Sequence, residues 1–363
     1  MNKERNLIIG ILKELFVDEK RVSIVPDGVK FLIENRFTAY VETGAGLSSG
    51  FSDLEYLTAG AFVLPRHEVI SKATFFPKIK QLTGELTRFS ENETKELEDF
   101  LNIIVQSPSE APQSSVSRKY VFSFIAPEHI TSNDIKLYQQ WSTKMLRIDA
   151  EKHRPLLAVM SRVAGEEMIR IGLGEYRSCH ENRHPERVHI VGAGSVAIGA
   201  LRKLKELDST IRITVYCRNT EKAIRHFENQ KQDHGKISFE PLDSLGKQVK
   251  EIDFLIMALV DRVEGEDYLL DQDQIAGMAE NSIIMECEPE GCTWLKGLEH
   301  VTSHKAPFIQ IGENKVRGCF IPNYPAAMPR STSIEASEKY ISFILKAEEM
   351  KERGEELPIV RIE

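Results

Sequence analysis

The run VGAGSVAIGAL is the first place where residue types and spacing could do chemistry. Gly192, Gly194 and Ala197 follow the form GxGxxA, with Ser195 and Val196 inside the turn. Gly192 permits a tight turn, and Gly194 lets the backbone approach a pyrophosphate without a side chain in the way. Ala197 allows close packing of a helix on its strand, so that the helix amino terminus faces the anion. Context gives the match its specificity: an apolar strand from Val188 precedes it, a helical run follows, and a second strand, IRITVYCRN, comes about twenty residues on.

The end of that second strand distinguishes the two nicotinamide dinucleotides. A carboxylate there would bind a ribose 2′-hydroxyl and repel a 2′-phosphate. Here the tip reads Cys217, Arg218 and Asn219. With no carboxylate and an arginine able to pair with phosphate, the expected cofactor is NADP, with NAD as the alternative. The plain alternative for Arg218 is a solvated side chain on a turn. Two further strands are expected in DFLIMALV (253–260) and NSIIMECE (281–288). Residues near their carboxyl ends, Ala258 and Leu259 among them, are expected to face the nicotinamide.

These residues need elements to hold them. At about 150 residues per domain, a chain of 363 residues accommodates two lobes and a cleft. The sequence is 41% hydrophobic and 28% charged, as in a globular protein, and its net charge of −8 supplies no field that would draw it to phosphate backbones or anionic lipid. Nucleic acid and membrane are therefore not expected partners. Apolar runs are strand-sized and the amino terminus lacks the longer apolar core and cleavage site of a signal peptide, so a cytoplasmic location is expected. The five cysteines form no CxxC pair and read as reduced thiols. The histidines at 180, 184, 189, 300 and 304 match no zinc spacing, so no metal is expected.

The first half alternates strand and helix from Leu7: IIGILKEL, then VSIVPDGVKFLIENRFTAYVETGAG, then a second α/β stretch through Leu82. RFSENETKELEDFLNIIV reads as a helix running into a strand, residues 106–119 as a loop, Tyr120–Ala126 as a buried strand, and SNDIKLYQQW as a capped helix. A helix over SRVAGEEMIRIGLG and a polar linker, SCHENRHPER, mark the join of the lobes.

Several longer motifs carry a resemblance. KELFVDEKRVSIVPDGV (13–29), VETGAGLSSGFSDLEY (41–56), PLLAVMSRVAGEEM (155–168), the glycine turn and PNYPAAMPRSTS (322–333) stand in the order and spacing of one family. The chain resembles the alanine dehydrogenases, the NAD-binding part of proton-translocating transhydrogenase, and carboxyethylornithine synthase, over nearly its whole length. The resemblance implies an α/β fold of two Rossmann-like doubly wound domains with a cleft between them. The first, substrate-binding domain is expected to be discontinuous, at 1–150 and 321–363, with the dinucleotide domain at 151–320. It also implies a homo-oligomer.

The resemblance further implies a substrate site. Arg21 would hold the substrate carboxylate, which suits a planar guanidinium. In ATFFPKIKQL, Lys80 would polarise a keto oxygen, with Lys78 as the alternative. Glu290, with Glu286 and Glu288 as neighbours, would stand beside the nicotinamide, and Asn323 and Tyr324 would approach the substrate on a proline-braced turn. The sequence departs from the family in YVFSFIAP, where Ala126 stands in place of the catalytic histidine; His129 is the nearest substitute.

The expected activity is oxidoreduction at the carbon–nitrogen bond of a small amino acid. Its reductive form joins a 2-keto acid to an amine. The tip YCRN and the unbroken run from Glu286 to Gly297 resemble carboxyethylornithine synthase and point to condensation with an amino acid. An ammonia-using amino-acid dehydrogenase and a non-catalytic or transhydrogenase-like dinucleotide-binding protein are the rivals.

Overall fold

The computed structural model describes residues 5–15, 18–80, 119–123, 143–145, 154–207, 210–229, 237–259, 268–286, 294–298, 302–321, 323–355 and 357. The segment expected as a helix running into a strand at 88–105, the capped helix expected at 132–141, and all but the last residue of the loop expected at 106–119 lie outside them; Lys119 is in a strand rather than a loop.

The chain divides into two compact units, Met1–Leu157 with Pro329–Glu363, and Ala158–Met328. In the first, β1 (Ile8–Ile11), β2 (Thr38–Glu42), β3 (Phe62–Leu64), β4 (Phe75–Lys78), β5 (Lys119–Ser123) and β6 (Thr143–Met145) form one sheet in the order β3-β2-β1-β4-β5-β6. Every pairing is parallel. This is the doubly wound order, in which the chain reverses direction across the sheet between β1 and β4. β1 and β4 are buried along nearly their whole length, as strands covered on both faces must be.

Helices follow from local chemistry. α1 (Pro26–Glu34) starts on a proline with Asp27 in its first turn, and buries Val29 and Leu32 three apart. α2 (Asp53–Thr58) starts on a capping box made by Ser52 and Glu55. α3 (Arg66–Lys72) leads into β4.

The second unit repeats the plan. It contains α4 (Arg154–Cys179, from Ala158 on), β7 (Arg187–Val191), α5 (Ser195–Leu207), β8 (Arg212–Cys217), α6 (Thr220–Asn229), β9 (Ile237–Pro241), β10 (Phe254–Met257), α7 (Gln272–Ala276), β11 (Ile283–Glu286), β12 (Ile309–Ile311) and β13 (Val316–Cys319). The order is β12-β13-β11-β10-β7-β8-β9, with β12 alone antiparallel. The chain reverses between β7 and β10. The hairpin β12–β13 was not legible in the sequence.

α8 (Pro329–Glu352) belongs to the first unit, and its contacts explain why the chain returns there. Buried Glu348 accepts from the backbone N–H groups of Asn6 at 2.6 Å and Leu7 at 2.9 Å, and so fixes the approach to β1. Phe343 stacks on Phe122 of β5, with ring centroids 3.7 Å apart. Among the described residues no helix is long and apolar enough to cross a membrane.

Candidate active site

In a doubly wound sheet, ligands meet the carboxyl ends of the strands where the strand order reverses. In the first unit that place lies beyond β1 and β4. The chain leaving β1 carries Glu14, Glu19 and Arg21, and the chain leaving β4 carries Lys78 at its last position and Lys80 two residues on. Topology therefore brings together acids, an arginine and two lysines from segments more than fifty residues apart.

Four of these charges form two ion pairs. Lys78 is fully buried, and its ammonium lies 2.9 Å from Glu14 Oε2. Glu14 also accepts from the N–H of Ile79 at 2.8 Å through Oε1 and from the N–H of Lys80 at 3.2 Å through Oε2. One carboxylate thus clamps three successive residues. Burial lifts the Glu14 pKa above the usual carboxylate range, and the Lys78 charge opposes the rise. Arg21, also buried, places Nε 2.7 Å from Glu19 Oε1 and Nη2 2.5 Å from Glu19 Oε2, a fork-to-fork pair that fixes the guanidinium plane. Lys80 is only half-buried.

Three residues on one face of α8 hold these loops. Ser333 Oγ accepts from the N–H of Val22 at 3.0 Å, and Ser337 Oγ from that of Val25 at 3.2 Å. The Tyr340 hydroxyl donates to the carbonyl of Lys78. Burial raises the Tyr340 pKa well above its ordinary value, and Glu14 adds to the rise, so the phenol stays a neutral donor. Sequence reasoning missed Glu14, Glu19 and Tyr340. The signal was there in two acids inside KELFVDEKR and in polar residues at helical spacing on an otherwise apolar helix face.

The second unit's reversal point holds the glycine turn. Gly192 has φ +107°, and a Cβ there would lie 2.4 Å from the Ala258 carbonyl oxygen. The floor is close because the Ala258 N–H donates to the Val191 carbonyl at 2.7 Å. At Gly194 a Cβ would meet nothing within 4 Å, so the turn is open on the side from which an anion would approach. Ser195 opens α5, Val196 and Leu259 are half-buried, and Ala197 is fully buried against the core. The close approach of helix to helix depends on two other glycines: a Cβ on Gly165 would lie 1.9 Å from the Val196 carbonyl oxygen, and one on Gly199 1.9 Å from that of Arg162. These surroundings fit a dinucleotide pyrophosphate.

At the tip of β8, Cys217 is buried and burial pushes its thiol pKa up. Arg218 is exposed, with its guanidinium carbon 5.9 Å from the centre of the Trp294 ring. The Asn219 side chain accepts from the N–H of Lys222 at 2.8 Å, so it serves as the cap of α6. Glu286 is buried and accepts from the N–H of Trp294 at 3.2 Å.

Tyr324 differs from expectation. It is fully buried in the second unit, and its hydroxyl donates to the Cys319 carbonyl at 3.0 Å, because the turn it begins packs against the end of β13. Asn323 is also buried, with its carbonyl 3.1 Å from His304 Nε2. Glu288, Glu290, Ala126 and His129 lie outside the described residues. Among the described residues no group of histidine, cysteine and carboxylate side chains could hold a metal ion.

Comparison with known proteins adds a family. Residues 10–134 match the model "Alanine dehydrogenase/PNT, N-terminal domain", and residues 170–357 match "Alanine dehydrogenase/PNT, C-terminal domain". The chain is 24% identical to alanine dehydrogenase of Methanococcus maripaludis, over 94% of this chain and 87% of that protein. It is also 24% identical to that of Bacillus subtilis, over 94% and 85%. Its fold superposes on a solved L-alanine dehydrogenase with a TM-score of 0.74 at 20% identity, covering 96% of this chain and 91% of the other. A transhydrogenase from Sinorhizobium meliloti gives 0.70 at 18%, covering 95% of each.

Proposed function

The chain belongs to the alanine dehydrogenase/PNT family, and from that premise we propose that it is a pyridine-nucleotide-dependent oxidoreductase acting on the carbon–nitrogen bond of a small amino acid. The observation that carries the reading is the juxtaposition at the first unit's reversal point: a guanidinium oriented by Glu19 and a lysine whose backbone is clamped by Glu14.

In the reductive direction, Arg21 binds the carboxylate of a 2-oxo acid and Lys80 polarises its carbonyl oxygen. Condensation with an amine, with uptake of one proton, forms an iminium ion and releases water; addition of a hydride to the iminium carbon then leaves a neutral amine that keeps the proton on nitrogen. Gly192 and Gly194 would admit the pyrophosphate of a reduced nicotinamide dinucleotide, which would supply the hydride. Lys80 suits the polarising role better than Lys78, because Lys78 is fully buried and its charge already balances Glu14. Glu290, four residues after the end of β11 in sequence, is proposed to orient the amine. His129 is proposed as the proton donor in place of the histidine that Ala126 replaces.

The preferred dinucleotide is NADPH, on the support of Arg218 and the absence of a carboxylate in Cys217–Asn219. The amine admits two readings. The curated relatives' names favour ammonia, whereas the arginine-bearing tip and the run from Glu286 to Gly297 favour an amino acid as the nitrogen donor. We place condensation with an amino acid first. Oxidation of NADPH with pyruvate, glyoxylate or 2-oxoglutarate, each against ammonia, ornithine and lysine, separates them. A rate that requires an amino acid supports condensation, a rate with ammonia alone supports the dehydrogenase, and NADPH binding without turnover rejects both.

A further inference from the structure

The substrate site as read above has two halves: Arg21 in the chain that follows β1, and Lys80 in the chain that follows β4. Both halves hang from one helix. Along α8, Ser333, Ser337 and Tyr340 stand at positions i, i+4 and i+7, one stripe of the helix surface. The two serines accept from the N–H groups of Val22 and Val25, on the segment just after Arg21. The tyrosine reaches the other segment and donates to the carbonyl of Lys78, two residues before Lys80.

That carbonyl lies at the end of β4. Glu14 takes the N–H groups of Ile79 and Lys80, but a carboxylate has no proton for the Lys78 carbonyl while it pairs with an ammonium. A phenol supplies that proton. Tyr340 is fully buried, its ring meets Phe122 edge-on at 5.7 Å, and its hydroxyl stands in the field of Glu14, Arg21 and Glu19. A fully buried hydroxyl on a packed ring transmits position well, because displacing it breaks ring packing as well as a hydrogen bond.

We propose that Tyr340 is a positioning residue which, with Ser333 and Ser337, makes α8 the spacer that fixes the distance between the acid-gripping Arg21 and the carbonyl-polarising Lys80. The inference rests on the oxo-acid reading of those two residues. It gives α8, supplied by the far end of the chain, a part in setting which oxo acids fit: a looser spacer discriminates less between them.

The test compares wild type with Tyr340→Phe, which keeps the ring packing, and with Ser337→Ala, which loosens the other half. Four quantities are measured on the full chain: melting temperature, NADPH affinity, oxamate affinity by calorimetry, and hydrogen exchange at the amides of Val22, Val25, Ile79 and Lys80. The expected result for Tyr340→Phe is unchanged NADPH affinity, oxamate binding weaker by about ten-fold, and exchange at Ile79 and Lys80 faster by a similar factor. Where turnover is measurable, kcat/KM for the oxo acid falls with oxamate affinity, and the ratio between pyruvate and 2-oxoglutarate narrows. Unchanged oxamate affinity overturns the inference, even if exchange accelerates, because Tyr340 then serves packing alone. If wild type binds no oxo acid, the proposed function fails instead, and exchange at the four amides still decides whether Tyr340 ties the two segments together.

Discussion

The carboxylate of Glu14 lies 2.9 Å from the ammonium of Lys78, and both groups are almost wholly buried. The pair divides the labour between two lysines that stand two apart. Lys78 neutralises the buried acid, and the acid in turn holds the backbone of Lys80, which keeps partial exposure. Substitutions should separate the two. Lys78→Met strands a buried carboxylate and should lower unfolding stability by about 3–5 kcal/mol in denaturant titration. Lys80→Ala should leave the denaturation midpoint nearly unchanged while removing turnover.

The glycine turn yields a second separation. Gly192 has φ +107° and its Cβ position lies against the Ala258 carbonyl, so Gly192→Ala should reduce thermal stability by roughly 1–3 kcal/mol. Gly194 faces open space, so Gly194→Val should fold normally and lose dinucleotide affinity by at least about ten-fold. Calorimetry with NADPH beside a melting curve reads both.

Arg218 is exposed and within cation–π range of Trp294. Arg218→Ala should weaken NADPH by about ten-fold or more and NADH by less than about two-fold, as expected for loss of a phosphate partner. Equal weakening of both would assign Arg218 to adenine contact rather than to the 2′-phosphate.

Buried His189 gives the fold an acid limit. Burial lowers its pKa from 6.5 to about 4, with Arg187 acting in the same direction, and its Nδ1 lies 3.0 Å from the Tyr216 hydroxyl. A histidine held neutral by the fold contributes stability that is complete above its unfolded pKa and is lost as pH falls towards the folded one. The window therefore runs from about 6.5 down to about 4, and the loss approaches roughly 3 kcal/mol. Denaturation across that range should lose stability more steeply in wild type than in His189→Gln, the difference between the two curves being the histidine's share.

Much of this arrangement was legible in the sequence, for physical reasons. The glycine turn constrains its own backbone, so GxGxxA between a strand and a helix marks the turn from β7 into α5 in the sequence alone. Apolar strands buried on both faces announced themselves in IIGI and FLIM. What the sequence hid was long-range pairing. Nothing in the local patterns KELFVDEKR, FFPKIK or ASEKYISF says that Glu14 will meet Lys78 or that Tyr340 will reach the end of β4, because such partners are fixed only when the sheet order is known. Tyr324 misled for the opposite reason: its neighbourhood suggested a substrate donor, while packing against β13 turned its hydroxyl inward. The short hairpin β12–β13 carries too few residues to show a period.

The most direct test of the central claim is NADPH oxidation with a 2-oxo acid and an amine, in wild type and Lys80→Ala, with calorimetric NADPH binding as control. The account expects turnover in wild type that requires both the oxo acid and the amine, and its loss in Lys80→Ala with NADPH affinity unchanged. Full activity in Lys80→Ala, or NADPH binding with no turnover on any pair of substrates, would contradict it.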